Sequence, residues 1–518
     1  MNGAGHRAAH MGFGMTPIGI DLGTTNTVAA WVDAGGEPRV LYGSDGNALI
    51  PSTIYFETPN VVQIGQDPFQ NPGMRSENLA IQSKRWMGRP RSFLFHGREY
   101  SAVELGSLIL RKVIKRAEER LGDQVGPVTI AVPAHFDVAQ RAAVHQVAEL
   151  AGVKLHAIVS EPVAATLAYG MPHAGSLYKG LGDGEPTMVI DLGGATLDLS
   201  VVTCTADIID VPVVAGDAHL GGMDFDRVLY YHLCHHILDE TGIDPADLPE
   251  FRFRLLDLSR WAKETLTYNT DVTMSIPDTW LEGRECTSLE LTREGAEALW
   301  EGLLDRADRL LEGVLDDARE RGIRISRVVF SGGASAIPSF RARMMERLGP
   351  VVAQSDPLMG SDEAVAVGAA LYGQMTIPGK QSEPVKFPTL HEHLPYDLGV
   401  ADDVGHLVVV VARGSALPAD GEHVFTTVED EQSQVVFRIV RRDADGAVTL
   451  LGELRLDGLP RVPQGDPDLH VKFDVDAQGA LSISAWEGDR QPVKLHVAFS
   501  GDLTALRPAR RGKKLIVL

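Results

Sequence analysis

Two aspartates, each ending an apolar run and each followed by a glycine-bearing turn, are the residues best suited to chemistry in this chain. The first copy reads Ile18-Gly19-Ile20-Asp21-Leu22-Gly23-Thr24-Thr25-Asn26-Thr27. The second reads Met188-Val189-Ile190-Asp191-Leu192-Gly193-Gly194-Ala195-Thr196-Leu197-Asp198. Glycine lets backbone N–H groups approach an anion, and threonine hydroxyls add donors. An aspartate at a strand end can hold hydrated Mg²⁺ or orient water. One such turn is weak evidence. Two copies suit loops that face each other across a cleft and grip a polyphosphate from both sides. A third segment, Val328-Val329-Phe330-Ser331-Gly332-Gly333-Ala334-Ser335, sets a Gly-Gly turn after an apolar run and ahead of a helix expected near Pro338. A helix N-terminus there favours ribose and phosphate oxygens.

Such turns need rigid strands behind them. From Pro17 to about Gln374, short β-branched runs alternate with longer amphipathic stretches, the pattern of an α/β domain. The clearest expected strands are Thr129–Val132, Met188–Asp191 and Arg327–Ser331. The clearest helices are Val138–Ala151, with Ala143, Val147 and Leu150 at helical spacing, and Thr292–Arg321, which opens on Thr292 as N-cap. Four prolines punctuate Pro378–Pro395, which reads as a linker without helix or strand period. Apolar runs beyond it (His406–Val411, His423–Val428, Val435–Val440, Val448–Leu454, His470–Val475, Leu481–Ala485) predict an antiparallel β domain. The expected organisation is an extension (1–16), an α/β nucleotide-binding domain (17–376), a linker (377–396), a β-sandwich (397–500) and a basic tail (501–518).

Composition narrows the partners. Of 518 residues, 48 are Lys or Arg and 70 are Asp or Glu, leaving a formal charge of −22. So acidic a surface repels nucleic acid and anionic lipid unless a local basic patch intervenes. The strongest patch, Arg507, Arg510, Arg511, Lys513 and Lys514, reads as a solvated tail. No nucleic-acid or membrane partner is expected, and no run approaches the ~20 apolar residues of a membrane span. Cys204, Cys234 and Cys286 are odd in number and widely spaced, which suits a reducing compartment and predicts a cytoplasmic protein. Cys234 lies in His232-Leu233-Cys234-His235-His236, yet no second ligand pair follows at zinc spacing, so an ordinary helix surface is expected.

These residues resemble the actin-like ATPase superfamily and, more narrowly, the DnaK-type seventy-kilodalton heat-shock chaperones. Beyond the turns, the resemblance rests on Ala131-Val132-Pro133-Ala134-His135-Phe136, Ser160-Glu161-Pro162-Val163-Ala164-Ala165 and Gly216-Asp217-Ala218-His219-Leu220-Gly221-Gly222-Met223-Asp224-Phe225-Asp226. Lys84-Arg85-Trp86-Met87-Gly88-Arg89 and Asp362-Glu363-Ala364-Val365-Ala366-Val367-Gly368-Ala369-Ala370 complete it. It implies a two-lobed ATPase followed by a sandwich that binds a client polypeptide or a dedicated partner, with a co-chaperone or exchange factor, in a monomer. The sandwich matches more loosely, through Phe425-Thr426-Thr427-Val428-Glu429-Asp430 and Val471-Lys472-Phe473-Asp474-Val475.

By the same resemblance ATP and Mg²⁺ are the ligands. Gly23, Thr24, Thr25, Asn26, Gly193, Gly194, Ala195 and Thr196 would line the phosphates. Gly221, Gly222, Lys263, Thr267, Gly332, Gly333, Ala334 and Asp362 would contact the nucleoside side. Asp21 and Asp191 would sit nearest the metal, and Asp198 would help hold K⁺. Lys84 would reach the γ-phosphate and Glu161 the attacking water, while Pro133 and Arg141 match an interdomain relay. Alone, Lys84 reads as a solvated lysine and Glu161 as a helix-end charge.

Departures sharpen the expectation. Ala195 stands where a third glycine is preferred, adding ~1 kcal/mol of strain if that position needs positive φ. Glu264 and Ala336 stand where arginines sandwich the base, a loss on the order of 1–2 kcal/mol that predicts weaker or less adenine-selective binding. Val400, Phe425, Val435 and Phe437 read equally as a peptide pocket or as sandwich core. Asp403 replaces a large apolar residue above them, and no helical lid follows. A lidless ATP-hydrolysing chaperone leads over a non-hydrolysing ATP-dependent scaffold. A small-metabolite kinase or a filament former fits less well.

Overall fold

The computed structural model describes residues 15–65, 76–169, 184–205, 208–247, 251–277, 287–349, 353–355, 363–377, 389–401, 406–443, 446–477, 479–488, 493–496 and 515–517. Asp362, Asp403 and Cys286 lie outside them.

Two sheets of the same plan carry the first domain. In one, β1 (Thr16–Leu22), β2 (Asn26–Val32), β3 (Pro38–Val40), β4 (Val125–Val132) and β5 (Leu155–Ser160) lie in the order β5-β4-β1-β2-β3. In the other, β6 (Thr187–Leu192), β7 (Leu197–Cys204), β8 (Ile208–Asp217), β9 (Arg327–Ser331) and β10 (Ala353–Ser355) lie in the order β10-β9-β6-β7-β8. Each aspartate strand runs antiparallel to the strand after its turn and parallel to the neighbour on its other side. The repeated motif is therefore a repeated sheet. Both strands are central, which explains their near-continuous apolar character.

Helices α1 (Ala102–Leu121) and α2 (Val138–Ala151) pack in the first lobe, and α2 has the bounds its spacing predicts. A capping box sets its start: the Asp137 carboxylate accepts from the Gln140 N–H and the Gln140 side chain accepts from the Asp137 N–H. Leu150, expected on the packed face, is 43% exposed, one turn beyond the buried Val147. Helices α3 (Glu161–Tyr169) and α8 (Ala364–Thr376) cross between the lobes on small residues such as Ala164, Ala165, Ala366 and Ala369. A Cβ at Gly368 would fall 1.7 Å from the Ala164 carbonyl oxygen, so only glycine permits this approach. In the second lobe are α4 (Gly222–Thr241), α5 (Arg252–Tyr268), α6 (Arg293–Glu320) and α7 (Pro338–Leu348). The Thr292 hydroxyl caps α6 by accepting from the Gly295 N–H at 3.1 Å.

The segment between domains is not structureless. Thr389–Glu392 forms β11, parallel to β8 with Ile208 opposite Thr389 and Val211 opposite Glu392, at the edge of the second sheet. Prolines hid this strand: it lies just after Pro388, and its partner is about 180 residues away in sequence.

Strands β12 (Asp397–Ala401), β13 (Leu407–Val411), β14 (Ala419–Thr427), β15 (Gln434–Arg442), β16 (Val448–Asp457), β17 (Leu469–Val475), β18 (Leu481–Glu487) and β19 (Val493–His496) build the sandwich. Its sheets are ordered β13-β12-β15-β16 and β19-β18-β17-β14. Val400, Phe425, Val435 and Phe437 are all at most 2% exposed within one core with Leu454 and Phe473. Of the two readings of these four residues, the structure takes core. One further strand, β20 (Leu515–Val517), joins the free side of β14, within a segment expected to be only a solvated tail.

Candidate nucleotide site

The two turns and the Gly-Gly turn converge on one cleft of ≈ 2180 Å³, lined among others by Asp21, Gly23, Thr24, Thr25, Asn26, Lys84, Glu161, Asp191, Gly193, Gly194, Ala195, Thr196, Gly222, Lys263, Thr267, Gly332, Gly333 and Ala334. Gly221 begins the adjoining helix α4 as its N-cap. Close approach explains the glycines. A Cβ at Gly194 would lie 2.0 Å from Thr25 Oγ1 on the opposing turn, and one at Gly332, where φ is +77°, 2.5 Å from the Leu192 carbonyl oxygen. Ala195 is different: it is not among the positive-φ residues and is buried, so the expected strain does not arise. A side chain at Gly221 would instead meet the Ala195 backbone.

Charge is concentrated at the cleft floor. Lys84 Nζ donates to Glu161 Oε1 at 2.9 Å, with both side chains 9% exposed. Burial alone would lower the Lys84 pKa, but the carboxylates of Glu161, Asp21 and Asp198 outweigh it and hold the ammonium above its ordinary value. Asp191 is pushed well above the carboxylate range, first by burial and then by the charges of Glu161 and Asp198. The charges of Glu161, Asp21 and Asp198 thus act on the Lys84 ammonium, and beside it burial would lower the His135 pKa but Asp198 outweighs it and holds the imidazole above its ordinary value. That set is short of positive charge.

His135, present in a matched segment but given no role from sequence, contacts Asp198 through Nδ1 and Oδ1 at 2.6 Å. Asp198 Oδ2 and Thr25 Oγ1 are buried without a hydrogen-bond partner. Unspent donors and acceptors beside a charge deficit fit a polyphosphate with a divalent ion. Among the described residues, no three His, Cys, Asp or Glu side chains converge as direct ligands. An ion here would keep its waters and lean on phosphate oxygens.

The nucleoside side is built differently. Lys263 Nζ lies 2.7 Å from Asp226 Oδ1 and donates to the Gly222 carbonyl at 3.0 Å, so its position is fixed before any ligand arrives. Thr267 turns its hydroxyl onto the Lys263 carbonyl of its own helix. Glu264 and Ala336 both line this end, and Glu264 is 62% exposed with Arg260 Nε 4.0 Å away. Sequence reasoning also missed Arg85, whose guanidinium donates to the Ala195 carbonyl at 2.9 Å and to Asp224 at 3.1 Å. Its place beside Lys84 in the matched string was the available signal. His236, on the histidine-rich stretch of α4, bonds the Ser288 carbonyl.

Around the start of α2 the first lobe meets the connector and the sandwich. Arg141 on α2 reaches Glu392 of β11 at 3.3 Å. Asp137, fully buried, pairs with Arg89 and with Arg441 of the sandwich, each at 2.9 Å. The cleft itself runs on to Tyr396, Arg441 and Asp443.

Duplicated sheets closing on opposed glycine turns, joined through a strand to a β-sandwich, define a two-lobed actin-like ATPase fold with an appended β-sandwich. The family model described as "Hsp70 protein" matches residues 17–94 and 92–505. The chain is 31% identical to "Chaperone protein DnaK" of Thermosipho melanesiensis over 472 residues, 90% of this chain and 77% of that protein. It is 32% identical to the protein of the same name from Anaplasma marginale over 509 residues (92% and 76%). With that from Thermus thermophilus, identity is 31% over 498 residues (91% and 78%). The chain belongs to the Hsp70 family. It is a chaperone of that type and hydrolyses ATP to ADP and phosphate.

Proposed function

We propose that the cleft floor performs this hydrolysis with Lys84 and Glu161 as the central pair and that turnover is slow. The observation behind this is the buried Lys84–Glu161 contact, set among carboxylates that leave the site short of positive charge. Backbone N–H groups of Gly23, Thr24, Thr25, Gly194 and Thr196 supply donors to the phosphates, while the Gly193 N–H closes the second turn onto the Thr196 carbonyl at 3.0 Å. Asp21 and Asp191 would hold Mg²⁺ through its waters, and the ion would supply positive charge against the phosphates. Water oxygen attacks the γ-phosphorus as the bond to the β-phosphate oxygen breaks. Lys84 offsets the charge on the phosphoryl oxygens, and Glu161 orients the water. Part of the Lys84 charge is already engaged by Glu161, which accounts for the slow rate. Asp198 has one oxygen left for K⁺, the other being held by His135.

At the nucleoside end, without the two base-stacking arginines, the grip on adenine is loose. The relatives are named chaperones, and by that likeness the sandwich takes a client polypeptide or dedicated partner, aided by a co-chaperone or exchange factor, in a cytoplasmic monomer. Single-turnover hydrolysis tests the reading: Lys84→Ala should slow the chemical step by roughly 10²–10³-fold, while equal rates would sink it. Run with GTP, the same assay reads base selectivity, and sharp discrimination for ATP would contradict the loose adenine grip.

A further inference from the structure

His135 and Asp198 belong to different lobes. His135 lies between β4 and α2 of the first lobe. Asp198 lies on β7 of the second, with Asp191 opposite it on one side and Gly216 of β8 on the other. A carboxylate accepts, so the ring donates from Nδ1 to Asp198 Oδ1 across the seam, at 2.6 Å. The second lobe leaves a notch for this ring. A Cβ at Gly216 would fall 2.6 Å from His135 Nδ1 and 2.9 Å from its Cγ. Gly216 is not among the positive-φ glycines, so its backbone would accept another residue and the missing Cβ serves room alone.

The contact is well sheltered, with the Asp198 side chain 2% exposed and that of His135 16%. Among the described residues, His135 Nε2 and Asp198 Oδ2 are buried without a hydrogen-bond partner, so this one bond ties the two side chains. It stands beside groups that hydrolysis needs from both lobes. Glu161, directly after β5 of the first sheet, and Asp191, on β6 of the second, line the same cleft. Arg85 makes a further tie by donating to the Ala195 carbonyl of the second turn. Lobes that part must break both.

We propose that His135 is a positioning residue for the hydrolysis. Seated in the Gly216 notch against Asp198, it sets the spacing between the Lys84–Glu161 pair and the second turn, and it holds the cleft shut so that nucleotide leaves slowly. The proposal rests on the hydrolytic reading of the cleft above and adds the residue that governs closure. A bond made only in the closed state favours that state by its net worth.

The test is release of a fluorescent ADP analogue, chased with unlabelled ADP, from the full chain and four variants. His135→Ala removes the ring, and His135→Asn keeps an amide N–H near the place of Nδ1. Gly216→Ala fills the notch from the other lobe, and His135→Ala/Gly216→Ala combines the two. His135→Ala and Gly216→Ala should each release the analogue about 10- to 100-fold faster, His135→Asn should stay close to the unaltered chain, and the double variant should be no faster than the faster single. Single-turnover hydrolysis should slow about 10-fold or more in His135→Ala and recover in His135→Asn. Unchanged release from His135→Ala would overturn the proposal, even with a lowered thermal midpoint, since that is what a purely structural role predicts. Equal acceleration by the Ala and Asn variants, or single effects that multiply in the double, would overturn it too. Should Gly216→Ala not fold, the Ala and Asn variants of His135 decide alone. Release is read without hydrolysis: a chain that binds ADP yet leaves ATP intact would sink the hydrolytic reading, while the release rates still judge closure by His135.

Discussion

Asp191 is where the site stores its cost. Its carboxyl is held well above the ordinary range by burial and by neighbouring acids, so the folded chain binds that proton more tightly than the unfolded chain. By linkage, stability present at acid pH is lost as pH rises from about 4 through the raised native value. Without nucleotide, Asp191→Asn should therefore raise stability near neutrality by roughly 1–3 kcal/mol and flatten the acid-to-neutral decline, while abolishing hydrolysis. Thermal midpoints of both proteins from pH 4 to 8 check this; parallel curves would contradict it. Glu161 also sits above its ordinary value through burial, although Lys84 opposes the shift.

Among the elements, β11 couples the two domains most directly. Its main chain joins the second-lobe sheet, Glu392 meets Arg141, and the following His393 lies 3.4 Å from Asp210. Hydrogen exchange at Leu390–Glu392 should slow on adding ATP if cleft closure tightens this pairing, and unchanged exchange would mean two independent modules. This strand also marks where sequence stops being informative. Val138–Ala151 and Arg327–Ser331 were legible to the residue, because period and caps are local properties. β11 was not, since proline-rich flanks mask a strand whose stability comes from a distant partner. The two turns that face each other across the cleft were readable from glycine and aspartate spacing. The benign backbone at Ala195 was not, because φ depends on how Gly221 packs against it. Likewise the Asp137–Arg441 pair joins residues 304 apart, and no local pattern signals it.

Across the whole molecule, that pair is the clasp. Asp137 caps α2 and at the same time neutralises one arginine from each domain while fully buried. Asp137→Asn keeps an acceptor for the cap but takes this carboxylate from Arg89 and leaves Arg441 with Asp443 at 3.3 Å as its remaining acid, a loss of about 2–4 kcal/mol at the contact. The sandwich should swing free of the first lobe, read as a larger radius of gyration in solution scattering. An unchanged radius would show that β11 alone holds the arrangement. The connector's place in the second sheet carries one more consequence. While Thr389–Glu392 lies along Ile208–Val211, that stretch of the lobe's edge has its outward main chain paired. Whenever the domains part, that protection leaves with the connector, and the exposed rim becomes a template for self-association. Separation of the domains therefore carries a hazard of its own, one that grows with protein concentration.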